Sequence, residues 1–162
     1  MESKKIMVSA CLLGINCRYN GESKFSPQLV ACLANHTVIP CCPELLGELM
    51  IPRPPAEIIN GDGQAVWSGQ ARVIDRDGND RTAYFKAGAQ KALELYLKEQ
   101  PEMVIFKANS PSCGRGLIYN GSFNGELVEG DGVATTLLRD WGATIYTEEE
   151  FLKLRIIDQN KF

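Results

Sequence analysis

Three short apolar runs, Ile6-Met7-Val8, Val38-Ile39 and Met103-Val104-Ile105-Phe106, are each followed by a cysteine on a turn-forming segment. Cys11 lies in Val8-Ser9-Ala10-Cys11-Leu12-Leu13-Gly14, Cys42 in Cys41-Cys42-Pro43-Glu44, and Cys113 in Ser110-Pro111-Ser112-Cys113-Gly114. Apolar runs of this length, bounded by glycine and proline, read as buried strands. In an open α/β sheet, ligands collect in the crevice outside the carboxyl ends of the strands, so three strand-end thiols are placed to converge there. Three thiolates are an iron–sulfur or zinc ligand set.

Between these runs, strand and helix signals alternate. The first strand is expected from about Lys4 to Ser9, followed by a loop containing Gly14, Asn16, Asn20 and Gly21. Ser26-Pro27 opens a short helix to about Ala34, with serine as N-cap and proline in the first turn. Thr37 to Cys41 is the second strand. Pro43 to Pro55 carries four prolines, which predicts an ordered, extended loop without regular helix. Ala65-Val66-Trp67 and Ala71 to Ile74 read as a hairpin. Thr82 to Lys98 is a helix with Phe85, Ala89, Ala92, Leu93 and Tyr96 on its apolar face. Glu102 to Lys107 is the next strand, and glycine-rich Ser110 to Gly132 reads as a long, irregular functional loop. A helix from Val133 to Trp141, a strand from Ala143 to Tyr146, and a capping box, Thr147-x-x-Glu150, opening a last helix complete the chain. The expectation is one domain over residues 1–162, an α/β three-layer sandwich with a mainly parallel, Rossmann-like sheet.

The 17 basic and 20 acidic residues leave a net charge of −3, which excludes the basic surface that nucleic acid or an anionic membrane requires. No apolar stretch approaches the about 20 residues that span a bilayer. Lys4-Lys5 before Ala10-Cys11 imitates a lipoprotein cleavage site, yet a signal segment needs about 7–15 apolar residues there. Only five residues separate Lys5 from Cys11. A cytoplasmic protein is therefore expected, and in that reducing compartment six cysteines point to metal or thiol chemistry rather than disulfides.

The side chains around the three thiols divide by context. Cys32 reads as helix packing and Cys41 as strand packing, while Cys17 reads as a spare ligand or a free thiol. His36, the sole histidine, falls between a helix end and a strand start, at the edge remote from the proposed site. Acid–base work thus passes to carboxylates or hydroxyls. Glu44 follows Cys42 closely and is either a solvated acid or a carboxylate fixed beside the thiols by Pro43. Ser110 and Ser112 either close a turn or present a hydroxyl to substrate, and Asn109 has the same choice. Gly130-Asp131-Gly132 before a helix suggests an anion site or, more plainly, a helix cap.

Three blocks carry a resemblance. They are Ser9-Ala10-Cys11-Leu12-Leu13-Gly14 with Arg18-Tyr19-Asn20-Gly21, then Cys42-Pro43-Glu44 with Pro52-Arg53-Pro54-Pro55-Ala56-Glu57-Ile58, then Lys107 to Gly114 with Ile118-Tyr119-Asn120-Gly121-Ser122-Phe123. In this order they resemble the thiouracil desulfidase family over roughly residues 6–148. The resemblance implies oxygen-independent, non-redox removal of sulfur from a thiolated base such as 2-thiouracil, giving uracil and sulfide. It also implies a 4Fe-4S cluster with three cysteine ligands and one open iron. Cys11, Cys42 and Cys113 match the ligand positions, Glu44 the acid/base carboxylate, and Ser110 a serine that assists at the substrate. The partner expected is a small thiolated base, with neither nucleic acid nor membrane. One departure is Glu48 after Gly47, where the family commonly has a second glycine. Two readings stand beside the enzyme: a non-catalytic iron–sulfur or zinc protein that senses or stores metal, and a reduced-thiol domain that binds nothing.

Overall fold

Side-chain alternation along the first strand sets the layering. Ile6 and Val8 pack into one apolar cluster with Leu29, Ile105 and Phe151, whereas Met7 packs into another with Phe85, Ala89, Val104, Phe106 and Leu138. Successive strand residues face opposite sides, so a strand apolar at every position must be covered on both. The computed structural model describes residues 2–159. The chain runs β1 (Lys5–Ser9), α1 (Pro27–Cys32), β2 (Thr37–Cys41), α2 (Pro43–Leu46), β3 (Ala56–Ile59), α3 (Gly63–Trp67), β4 (Arg72–Asp75) and α4 (Thr82–Glu99). It continues through β5 (Met103–Phe106), β6 (Leu117–Tyr119), β7 (Leu127–Glu129), α5 (Val133–Asp140), β8 (Ile145–Thr147) and α6 (Glu148–Gln159).

Four strands form a sheet in the order β2-β1-β5-β8, and all its pairings are parallel. Residues of α1 and α6 enter the cluster on one face, and residues of α4 and α5 enter the cluster on the other. This is the expected three-layer α/β sandwich. Because β2 and β5 flank β1 on opposite sides, the chain reverses its direction of travel at β1, which opens a crevice at the strand ends there.

Local signals explain the ends of the elements. Ser26 Oγ accepts the Leu29 N–H at 3.3 Å ahead of Pro27. The Thr147–Glu150 capping box closes in both directions, at 3.0 and 3.1 Å. His36 Nδ1 accepts the Lys4 N–H at 3.0 Å, a structural bond at the amino-terminal edge of the sheet.

Three expectations are corrected. Ala65-Val66-Trp67 is not a hairpin strand but part of α3, because Asp62 caps the Ala65 N–H at 3.0 Å and starts a helix. The true antiparallel partner of β4 is β3, immediately after the prolines. The proline segment is not free of helix either, since Pro43 occupies the first helical position of α2, where its missing N–H costs nothing. Ser110 to Gly132 contains a hairpin, β6–β7, whose strands are too short and too exposed to show an apolar alternation.

One close approach governs the position of α2. A Cβ at Gly88 of α4 would collide with the Pro43 carbonyl, and one at Gly47 with the Tyr84 carbonyl, so glycine lets the two backbones touch. Directly after Gly47, Glu48 sits at φ 66, in the left-handed region that suits glycine. A glycine there would adopt this conformation without a Cβ penalty. Replacing Glu48 by glycine is expected to raise unfolding stability by about 0.5–1 kcal/mol, read from denaturant titration of the metal-free protein. A loss of stability would contradict the strain.

Candidate metal centre

Parallel register brings the first two cysteine segments to one edge. Ser9, ending β1, lies opposite Cys41, ending β2. Cys42 follows as the N-cap of α2. Cys11 sits in a 3₁₀ turn, Ala10–Leu13, closed by Gly14 at φ 93. Cys113 arrives on a turn beyond β5 in which Ser110 Oγ accepts the N–H groups of Ser112 and Cys113, both at 3.0 Å.

Helix α5 buttresses that turn. The Val133 N–H donates to the Pro111 carbonyl at 2.8 Å and the Ala134 N–H to the Ser112 carbonyl at 2.9 Å. Thr135 Oγ1 donates to the Cys113 carbonyl at 2.8 Å. A Cβ at Gly132 would strike the Ser112 carbonyl, so that position must be glycine. The helix N-terminus is therefore consumed by protein carbonyls and is not the anion site the Gly-Asp-Gly segment suggested. Asp131 instead accepts the Gly116 N–H at 2.8 Å and pairs with Arg139.

One cavity of about 510 Å³ collects Cys11, Cys42 and Cys113. Glu44 and Ser110 line it as well. So do Cys17, which reads from the sequence as a spare ligand or a free thiol, and Cys41, which reads as packing. Cys41 does pack into the core with Cys113, on the side of the sheet opposite Cys42, yet the thiols from both faces meet at the crevice. Cys17 is buried because the loop that carries it folds back, with the Cys17 carbonyl held by Arg53 at 3.0 Å. Ser112 is buried and does not line the cavity, which separates the two serines. Cys32 stays on α1, outside it.

Four of these thiols, Cys17, Cys41, Cys42 and Cys113, resist ionisation. Burial pushes Cys113 well above the ordinary thiol range, and the neighbouring Cys41 and Cys42 add to it. Burial likewise raises Cys41 to about 12. Cys17 is raised to about 11, first by its hydrogen bond with Cys11 and then by burial, against an opposing hydrogen bond with Cys42. Cys42 is pushed up by its bond with Cys17 and by burial. Such thiols become thiolates only beside a compensating cation, so a soft, buried donor set of this kind fits a thiophilic metal group. Among the described residues, no three His, Cys, Asp or Glu side chains are gathered closely enough to hold a single ion.

The remaining walls are polar on one side and aromatic on the other. Glu44 lies in the first turn of α2, and its Oε1 accepts from Arg53 Nη2 at 3.1 Å. Lys107 Nζ pairs with Glu148 at 3.0 Å. Glu57 Oε1 accepts the Gly121 and Phe123 N–H groups at 2.9 and 3.2 Å, which ties the β6–β7 hairpin to β3. Tyr119 and Phe123 thereby become cavity wall, with Arg76 stacked over Phe123 at 5.6 Å. Arg53 and Glu57 both occur in the Pro-Arg-Pro-Pro-Ala-Glu block, so the signal was present. Their partners lie on other segments, which a linear reading does not pair.

Residues 6–150 match the family model for 2-thiouracil desulfurase. The chain belongs to that family. It is 43% identical over 145 residues to YbbK of Bacillus subtilis (strain 168), an uncharacterized protein, across 90% of this chain and 96% of that one. A solved structure described as the 4Fe-4S-dependent thiouracil desulfidase TudS is similar with a TM-score of 0.78 and 38% identity, over 97% of this chain and 99% of that one. The desulfurase family match thus includes every cavity cysteine.

Raised thiol pKa values have a chemical consequence in the metal-free, reduced protein. Alkylation needs thiolate, so at pH 8 Cys17 and Cys41 should react with iodoacetamide at least about tenfold more slowly than half-exposed Cys32. The rates should rise as pH approaches 11. Mass mapping of time points reads this directly, and equal rates at pH 8 would contradict the electrostatics.

Proposed function

We propose that the protein is a 4Fe-4S-dependent desulfidase that converts a thiolated nucleobase such as 2-thiouracil, with water, into uracil and sulfide. One observation carries the reading: Cys11, Cys42, Cys113 and Glu44 line one cavity in a chain that matches the 2-thiouracil desulfurase family from residue 6 to residue 150. Cys11, Cys42 and Cys113 would hold the cluster, leaving one iron without a protein ligand. When bound, such a group supplies a Lewis acid for the sulfur of the thiocarbonyl.

The chain's own residues do the rest. The cavity, at about 510 Å³, is of a size for small-molecule binding. Tyr119 and Phe123 offer flat apolar surface to a pyrimidine ring. Glu44 Oε2 accepts no hydrogen bond from the described residues and is free to take a proton from water as that water adds to the thiocarbonyl carbon. Collapse of that adduct breaks the carbon–sulfur bond and forms the carbonyl; the sulfur leaves as hydrosulfide with the proton returned by Glu44, and the hydroxyl proton passes to solvent, so thiocarbonyl and water become carbonyl, hydrosulfide and one proton. Ser110 spends its oxygen lone pairs on the Cys113 turn, which leaves its O–H as a donor toward the substrate. All six cysteines are free, and the reaction is assigned to the reducing cytoplasm. Metal storage or sensing would need the thiols but neither the aromatic wall nor a carboxylate presented to the same space.

The test is anaerobic reconstitution followed by sulfide release from 2-thiouracil. Glu44→Gln should keep its iron and its absorbance and release sulfide about 10²–10⁴-fold more slowly. Cys113→Ser should lose the iron. Full turnover by loaded Glu44→Gln would remove Glu44 from the chemistry, and loading without any sulfide release by the parent would favour storage.

A further inference from the structure

Arg53 is the least expected feature near the site. Its side chain is only 8% exposed, on a segment between prolines. Nη2 donates both to Glu44 Oε1 at 3.1 Å and to the Cys17 carbonyl at 3.0 Å, and Nη1 donates to the Met50 carbonyl at 3.0 Å. The Arg53 N–H adds a 2.7 Å bond to the Tyr19 carbonyl. Its Nε is buried with no acceptor among the described residues. A buried, partly unsatisfied guanidinium is a costly way to fill space, which an apolar side chain would fill without penalty.

Its placement relative to Glu44 supplies a reason. Glu44 stands in the wall between the thiol cavity and a second cavity of about 230 Å³. Arg53 lines the second cavity and not the first. The guanidinium therefore holds Oε1 from the side of the second cavity, and Oε2 is the oxygen it leaves unbound. Nη2 also joins Glu44 to the backbone of the loop that carries Cys17, so a single group registers the carboxylate against the thiol wall.

We infer that Arg53 is the positioning residue of the site, orienting Glu44 by holding Oε1 so that Oε2 alone serves the reacting water. This rests on the reading of Glu44 as the proton carrier. A carboxylate with both oxygens loose spends most of its time out of line, and displacement of about 1 Å costs about 10²-fold in rate.

A double-mutant cycle on the reconstituted protein tests it, with iron per chain measured on each sample. Arg53→Met should retain iron and hold KM within about threefold while kcat falls about 10–10²-fold. Placed in Glu44→Gln, the same change should lower kcat by less than about twofold, because a residue that acts through Glu44 has nothing left to orient. An equal loss in both backgrounds, or no loss in the parent, overturns the inference. If Arg53→Met fails to fold or to load iron, Arg53→Lys, which keeps the buried charge, is run through the same cycle and judged by the same comparison. Full turnover by Glu44→Gln would overturn the reading of Glu44 itself. A slow Glu44→Gln with additive loss at Arg53 overturns the positioning role alone.

Discussion

The parallel hydrogen bonding of β1 between β2 and β5 is the constraint on which the site depends. Parallel neighbours end at the same edge, so the segments carrying Cys11, Cys42 and Cys113 leave the sheet together although they are far apart in sequence. The strand order places β1 at the reversal point, where the crevice is open to both faces. Cys41 and Cys113 reach it from the α4 side and Cys11, Cys17 and Cys42 from the α1 side. An antiparallel arrangement of the same strands would send one of these segments to the opposite edge.

Holding the thiols together has an electrostatic cost that the fold meets by rigidity. Burial and neighbouring sulfurs raise the pKa of Cys41 and Cys113, and the hydrogen bond with Cys11 together with burial raises that of Cys17, so in the metal-free protein these three are neutral thiols. What keeps them in place is backbone. Ser110 and the first turn of α5 hold the Cys113 turn, Gly14 closes the Cys11 turn, and Gly47 and Gly88 let α2 sit on α4. Metal binding to cysteines requires their deprotonation and so releases protons, which makes it dependent on pH.

Much of this was legible in the sequence because it is local. The Ser26-Pro27 start, the Thr147–Glu150 box and the apolar face of α4 are each written within a few residues. The strand-end positions of the three cysteines follow from short apolar runs and turn residues. What escaped depends on partners remote in sequence. Glu57 looks like a surface acid until the hairpin folds onto it, and Arg53 looks like a loop cation until the Glu44 helix and the Cys17 loop surround it. Cys17 has polar neighbours and becomes buried only through the fold-back of its loop. The β6–β7 hairpin was hidden because its strands of three residues each show no core pattern.

The central claim is that Cys11, Cys42 and Cys113 alone hold a 4Fe-4S cluster with an iron left open. A crystal structure of the anaerobically loaded wild-type protein, with iron-specific anomalous scattering, tests it most directly. The account predicts about four irons per chain, iron–sulfur bonds to those three cysteines, and one iron without a protein ligand, with Cys17 and Cys41 close by but unbound. A single tetrahedral ion, or a cluster ligated by Cys17 or Cys41, would contradict it.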